Sequence, residues 1–145
     1  MILALLFTVG ITGYFLFGSN VMTGGTTSSG TGKLSATQIA QLAANAGFEG
    51  EDQVTAVAIA LAESGGDPNI EGDSGTSYGL WQIHWTVHPE FDPAQLKDPQ
   101  YNANAAFQLY SNRGNFNDWS TYGDLPGHNN AYLSYMGAAD AAVNA

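Results

Sequence analysis

The alternation of apolar and polar positions divides the chain into a continuous apolar stretch, a featureless linker and a run of helix-length segments. Ile2 to Phe17 is apolar, and no charge occurs before Lys33. The apolar part is slightly shorter than the roughly 20 residues a helix needs to cross hydrocarbon, and Gly18 to Met22 extend it towards the interface. It lacks the positive leading region of a secretory signal. Residues 1–22 are therefore expected to form a retained transmembrane or apolar anchor, with a cleaved signal and a buried assembly helix as the alternatives. Residues 23–33 are nearly all Gly, Ser and Thr, a flexible linker without core-forming side chains. Residues 34–145 are left to fold.

Within that domain the pattern is helical. Ser35 and Gln38 have the spacing of a capping box, Leu34 is placed to staple against Ile39, and Gly47 supplies a left-handed stop after Ala46. A second helix is expected from about Glu51 and Asp52, whose charges suit a helix N-terminus, through Glu63 to the Gly65-Gly66 pair. Val54, Val57, Ala58 and Leu61 make one apolar face, while Ala56, Ile59, Ala60 and Ala62 cover the others. A helix apolar all round is buried on all sides, so this one reads as the centre of a small core. Asp98 and Pro99 open a third helix running to Asn112, and a fourth is expected over Asn129 to Val143. The strand signal is thin, a short alternation around Gly79 to Ile83. The expected fold is mainly α.

Composition narrows the chemistry. There are no cysteines, so thiolate nucleophiles and disulfides are excluded. Only 3 Lys and Arg stand against 13 Asp and Glu, a net charge of −10. Nucleic-acid binding needs clustered cations to displace counterions, and none exist; a polybasic lipid patch fails for the same reason. Neutral or sugar-like ligands, read by aromatic and amide groups, remain compatible.

Glu63 draws attention in this setting. It emerges from an apolar helix at the negative end of the helix dipole, and its nearest basic neighbours in sequence are Lys33 and Lys97. Desolvation and the dipole both favour the protonated carboxyl, the state a general acid needs near neutral pH. Glycoside cleavage is the reaction that most often asks for such an acid.

Two linked motifs carry a resemblance. Ala60-Leu61-Ala62-Glu63-Ser64-Gly65-Gly66-Asp67-Pro68-Asn69, followed by Ser77-Tyr78-Gly79-Leu80-Trp81-Gln82-Ile83, resembles the lytic transglycosylase and goose-type-lysozyme-like superfamily. The likeness continues through Leu96-Lys97-Asp98-Pro99 to Asn102 and thins out over Asn117 to Tyr122; residues 1–32 lie outside it. It implies a small lysozyme-like domain that cleaves the β-1,4 bond between N-acetylmuramic acid and N-acetylglucosamine. Glu63 would be its acid, and Ser64, Tyr78, Gly79, Leu80, Gln82, Asn102 and Tyr122 would bind substrate. Trp81, at a position where the family commonly has Met, either faces the cleft or packs in the core. The family's helping tyrosine has three candidates, Tyr122, Tyr132 and Tyr135.

A transglycosylase needs one carboxyl group, because the muramic acid 6-hydroxyl attacks internally; a hydrolase needs a second. Asp67, Glu71 and Asp73 are available, on a Gly/Pro-rich loop whose charges are ordinarily solvated, and the single-Glu route is favoured. No metal or other cofactor is expected. Asp67, Asn69 and Glu71 begin like a calcium loop, but Pro68 interrupts it and Tyr78 stands where a bidentate Glu belongs. His84 and His88 lack a third ligand for zinc. The expected partners are peptidoglycan glycan strands, a membrane through the N-terminal segment, and other virion or envelope proteins. The expected setting is the cell envelope, as a membrane-anchored enzyme or a component of a phage particle. The rival reading is a lysozyme-like structural or binding module without turnover.

Overall fold

A computed structural model describes residues 32–145; the expected anchor and all of the linker before Gly32 lie outside the described residues. Helix α1, Ala36–Ala46, starts on the capping box. The Ser35 hydroxyl accepts from Gln38 N at 3.2 Å, and Gln38 Oε1 accepts from Ser35 N at 2.9 Å. Helix α2, Gly50–Ser64, carries Glu51 and Asp52 in its first turn and stops at Gly65, whose φ is 59°. From Ala56 to Ala60 every residue is buried, so the all-round apolar pattern does mark the central helix. Its many alanines let α1 and the C-terminal segments pack closely around it.

A three-stranded antiparallel sheet follows, built from β1 (Glu71–Gly72), β2 (Ser77–Tyr78) and β3 (Ile83–His84) in the order β1-β2-β3. Glu71 pairs with Tyr78 and Gly72 with Ser77, while Ser77 pairs with His84 and Tyr78 with Ile83. The alternation around Gly79 to Ile83 is thus corrected: residues 79–82 are the tight turn between β2 and β3, and the strands lie on its flanks. Gly79 and Gln82 both have positive φ, 81° and 47°, which no strand tolerates.

Helix α3, Pro99–Arg113, begins with Asp98 accepting from Tyr101 N at 2.7 Å and ends at Gly114. The fourth expected helix is two pieces: a 3-10 turn at Ala131–Tyr135 followed by α4, Met136–Val143. Aromatic rings join the parts. Phe116 lies 5.9 Å from Phe48, 4.5 Å from Tyr110 and 5.5 Å from Tyr122, and Tyr122 continues to Tyr132 at 4.9 Å. Contacts of this kind add about 0.5–1.5 kcal/mol each beyond area burial, and they clamp the segment after α3 onto the core. No helix among the described residues is long and apolar enough to cross a membrane.

Candidate active site

The turn between β2 and β3 is organised from below by α3. Asn102 is 0% exposed. Its Oδ1 accepts from Trp81 N at 2.8 Å, and its Nδ2 donates to Tyr78 O and Leu96 O, each at 2.8 Å. Gly79 crosses directly above, where a Cβ would lie 2.4 Å from both Asn102 Nδ2 and Leu96 O. Only glycine fits that approach and its left-handed φ. Trp81 is 1% exposed and settles into the core. Its Nε1 donates to Ala56 O on α2 at 2.9 Å, and its carbonyl accepts from Trp119 Nε1 at 2.8 Å. One tryptophan therefore ties α2, α3 and the post-α3 segment together.

Those contacts revise several expected substrate-binding residues. Asn102 and Leu80 are both 0% exposed and offer no surface to a sugar; they hold the turn. Ser64 is buried as well, its hydroxyl donating to Ala60 O at 2.8 Å and accepting from Gly66 N at 3.2 Å. It closes the end of α2 instead of facing a ligand. Buried Gly79 contributes a backbone shape and no side chain. Gln82 gives its amide N–H groups to Ile70 O at 3.2 Å and Gly79 O at 3.0 Å, which leaves Oε1 as its remaining polar atom. Tyr78 is partly buried, 6.4 Å from the Trp85 ring, with Lys97 Nζ 5.1 Å from its centroid. Tyr122 remains partly exposed beside Tyr132. Tyr135, more exposed still, lies on the 3-10 turn.

Glu63 stands in the last turn of α2, partly buried. Its Oε1 accepts a 2.8 Å hydrogen bond from the Thr121 hydroxyl. Burial holds its pKa above the usual carboxylate value; the Thr121 bond opposes that shift, and the negative charge of Asp73 adds to it. Asp73 sits on the turn between β1 and β2 with φ 49°, beside Ser74 at 58°. Its Oδ2 accepts from the Ser77 hydroxyl at 2.5 Å, and Thr76 Oγ1 donates to its main-chain carbonyl at 2.7 Å. Asp and Asn tolerate the left-handed region better than other non-glycine residues. Helix α2, the hairpin turn and the segment after α3 thus bring an acid, a second carboxylate and a hydroxyl donor into mutual influence.

Burial and the Asp73 charge both act to favour the protonated form of Glu63, and the Thr121 bond acts against them. A family model described as a lysozyme-like domain matches residues 40–121, a span reaching from α1 to Thr121. The chain belongs to the lysozyme-like domain family. Membership agrees with the resemblance of the Glu63 and Gly79 motifs and is consistent with a peptidoglycan-related glycosidase or transglycosylase. No curated protein and no solved structure matches the chain.

One part of this candidate site left no trace in sequence patterning. Thr121 lies 58 residues from Glu63 in a short polar stretch without periodicity. Asp73 was one of three loop carboxylates, and only the hairpin turn singles it out. Among the described residues no cluster of three potential ligands could hold a metal ion.

Proposed function

We propose that the chain cleaves the glycan strand of peptidoglycan at the β-1,4 bond between N-acetylmuramic acid and N-acetylglucosamine. Glu63 donates its proton to the glycosidic oxygen as the bond to the anomeric carbon breaks. The resulting carboxylate then takes the proton of the muramic acid 6-hydroxyl as that oxygen closes on the anomeric carbon. The reaction is a lytic transglycosylation, leaving a 1,6-anhydro sugar. The supporting observation is the partly buried Glu63 with raised pKa at the end of α2, inside the span the family model covers. Tyr122, next to Thr121, and Oε1 of Gln82 are the groups proposed to meet the sugar.

One observation favours a second reading. Asp73 is held by Ser77 and its negative charge adds to the raised pKa of Glu63, so it is the loop carboxylate that a hydrolase with a second carboxyl group would use as its base. Digestion of purified peptidoglycan followed by mass spectrometry separates the two. Transglycosylation is expected to give muropeptides one water lighter than hydrolysis, without new reducing ends. Asp73→Asn is then expected to keep substantial activity while moving the alkaline limb of the pH profile slightly downward, because it removes a charge that raises the Glu63 pKa. Reducing-end products together with an inactive Asp73→Asn variant would establish the hydrolase instead.

Residues 1–22 are proposed to tether this activity to a membrane, on the strength of their uncharged apolar sequence. The full chain is expected to float with lipid vesicles at neutral pH and high salt. Recovery entirely in the soluble fraction would remove the tether from the proposal.

A further inference from the structure

We propose that Thr121 is a positioning residue for Glu63, fixing which carboxyl oxygen carries the proton that is transferred. This inference rests on the reading of Glu63 as the acid. The geometry is specific. Thr121 is 8% exposed, and its hydroxyl donates to Oε1 of Glu63 at 2.8 Å. An oxygen that receives this hydrogen bond behaves as the carbonyl oxygen of the acid, so the proton resides on Oε2. Burial leaves few other ways to orient a carboxyl group at a helix end, where rotation about its last bond is otherwise broad.

The segment bearing Thr121 is itself pinned on both sides. Trp119 anchors it to Trp81 O, Tyr122 N donates to Trp119 O at 3.1 Å, and Asn129 N donates to Ser120 O at 2.9 Å. The Thr121 carbonyl accepts from Tyr132 N at 3.1 Å, which joins the segment to the 3-10 turn. A β-branched side chain on such a backbone has little rotamer freedom to lose, so its hydroxyl is already in place when substrate arrives.

The same bond acts during the reaction. As Glu63 gives up its proton, negative charge grows on the carboxylate, and a hydrogen bond to an ion is stronger than one to a neutral acid. Thr121 therefore favours proton transfer out of Glu63 while burial favours the loaded acid beforehand. Without the hydroxyl, Glu63 would keep its proton to higher pH and release it less readily.

Thr121→Val and Thr121→Ser separate this role from plain packing. Val keeps the branched shape and removes the donor; Ser keeps the donor and loses a methyl group. Both full-length variants would be assayed for kcat and KM on solubilised glycan strands across pH, alongside Tm. Thr121→Val is expected to lose about tenfold or more in kcat, the scale of a hydrogen bond to a charged group, with KM nearly unchanged. Its alkaline limb is expected to move to higher pH, and Thr121→Ser is expected to restore both. A Thr121→Val enzyme with wild-type kcat and pH profile would overturn the proposal. So would equal losses in both variants that follow their losses in Tm. A fully active Glu63→Gln enzyme would overturn the acid assignment as well, whereas an inactive Glu63→Gln beside a normal Thr121→Val would remove only the positioning role.

Discussion

Glu63→Gln is expected to lower the rate of peptidoglycan cleavage about 100-fold or more, the scale on which removal of a general acid is felt. The amide matches the carboxyl group in shape, and its Oε1 can still accept from Thr121, so the fold has no reason to change. The variant is also expected to be more stable than the parent at neutral pH. Burial raises the pKa of Glu63 above its unfolded value, so folding disfavours its ionised form. That penalty is fully present above the folded pKa, shrinks as pH falls through it, and vanishes below the unfolded pKa. A neutral Gln never incurs it. The Tm gain of Glu63→Gln should therefore be largest near neutral pH and fade in acid. Cleavage assays on purified cell walls and thermal melts between neutral and acidic pH check both halves. Near-parental activity in the variant would end the assignment of Glu63 as the acid.

The second large effect is structural and lies under the β2–β3 turn. Asn102→Leu is expected to destabilise the domain by about 3–5 kcal/mol, because each buried polar group left without a partner costs roughly 1–3 kcal/mol. The substitution leaves Trp81 N without an acceptor and removes the donor to Tyr78 O and Leu96 O. The turn that loses its support also carries Trp81, which links α2 to α3 and to Trp119, so the damage should reach the Glu63 end of α2. For a domain of this size that corresponds to a fall in Tm of roughly 10–20 °C. Asn104→Ala, two residues along the same helix but exposed, is expected to change stability by no more than about 0.5 kcal/mol. Equal melts for the two variants would refute the anchoring role of Asn102.

The contrast between these two asparagines illustrates how far local pattern reaches. Both lie on one predicted helix, and the family resemblance placed Asn102 among substrate-binding residues. The structure puts it beneath the turn, because a small amide can satisfy three main-chain groups where a strand pair makes no ladder. Ser64 and Leu80 are buried as well, Ser64 because its hydroxyl closes the end of its own helix on Ala60 O and Gly66 N. Motif identity survives such a move, since a fold needs its turn as strictly as a reaction needs its acid, and sequence alone does not say which need a residue serves.

What the sequence by itself determined is the part governed by neighbours a few residues apart. The Ser35–Gln38 box, the Asp98-Pro99 start, the glycine stops and the all-apolar α2 are set by hydrogen bonds and burial within a turn or two. Glu63 at the end of that helix was legible for the same reason: an apolar surround and a dipole end are both properties of its own helix. The tertiary structure alone decided the rest. Thr121, 58 residues away, reaches Glu63 only because Trp119, Tyr122 and Tyr132 fold the post-α3 segment back onto the core. Asp73 acts on Glu63 only because the β1–β2 turn brings it near. Electrostatic and hydrogen-bond partners at such separations are chosen by packing, and packing has no period along the chain.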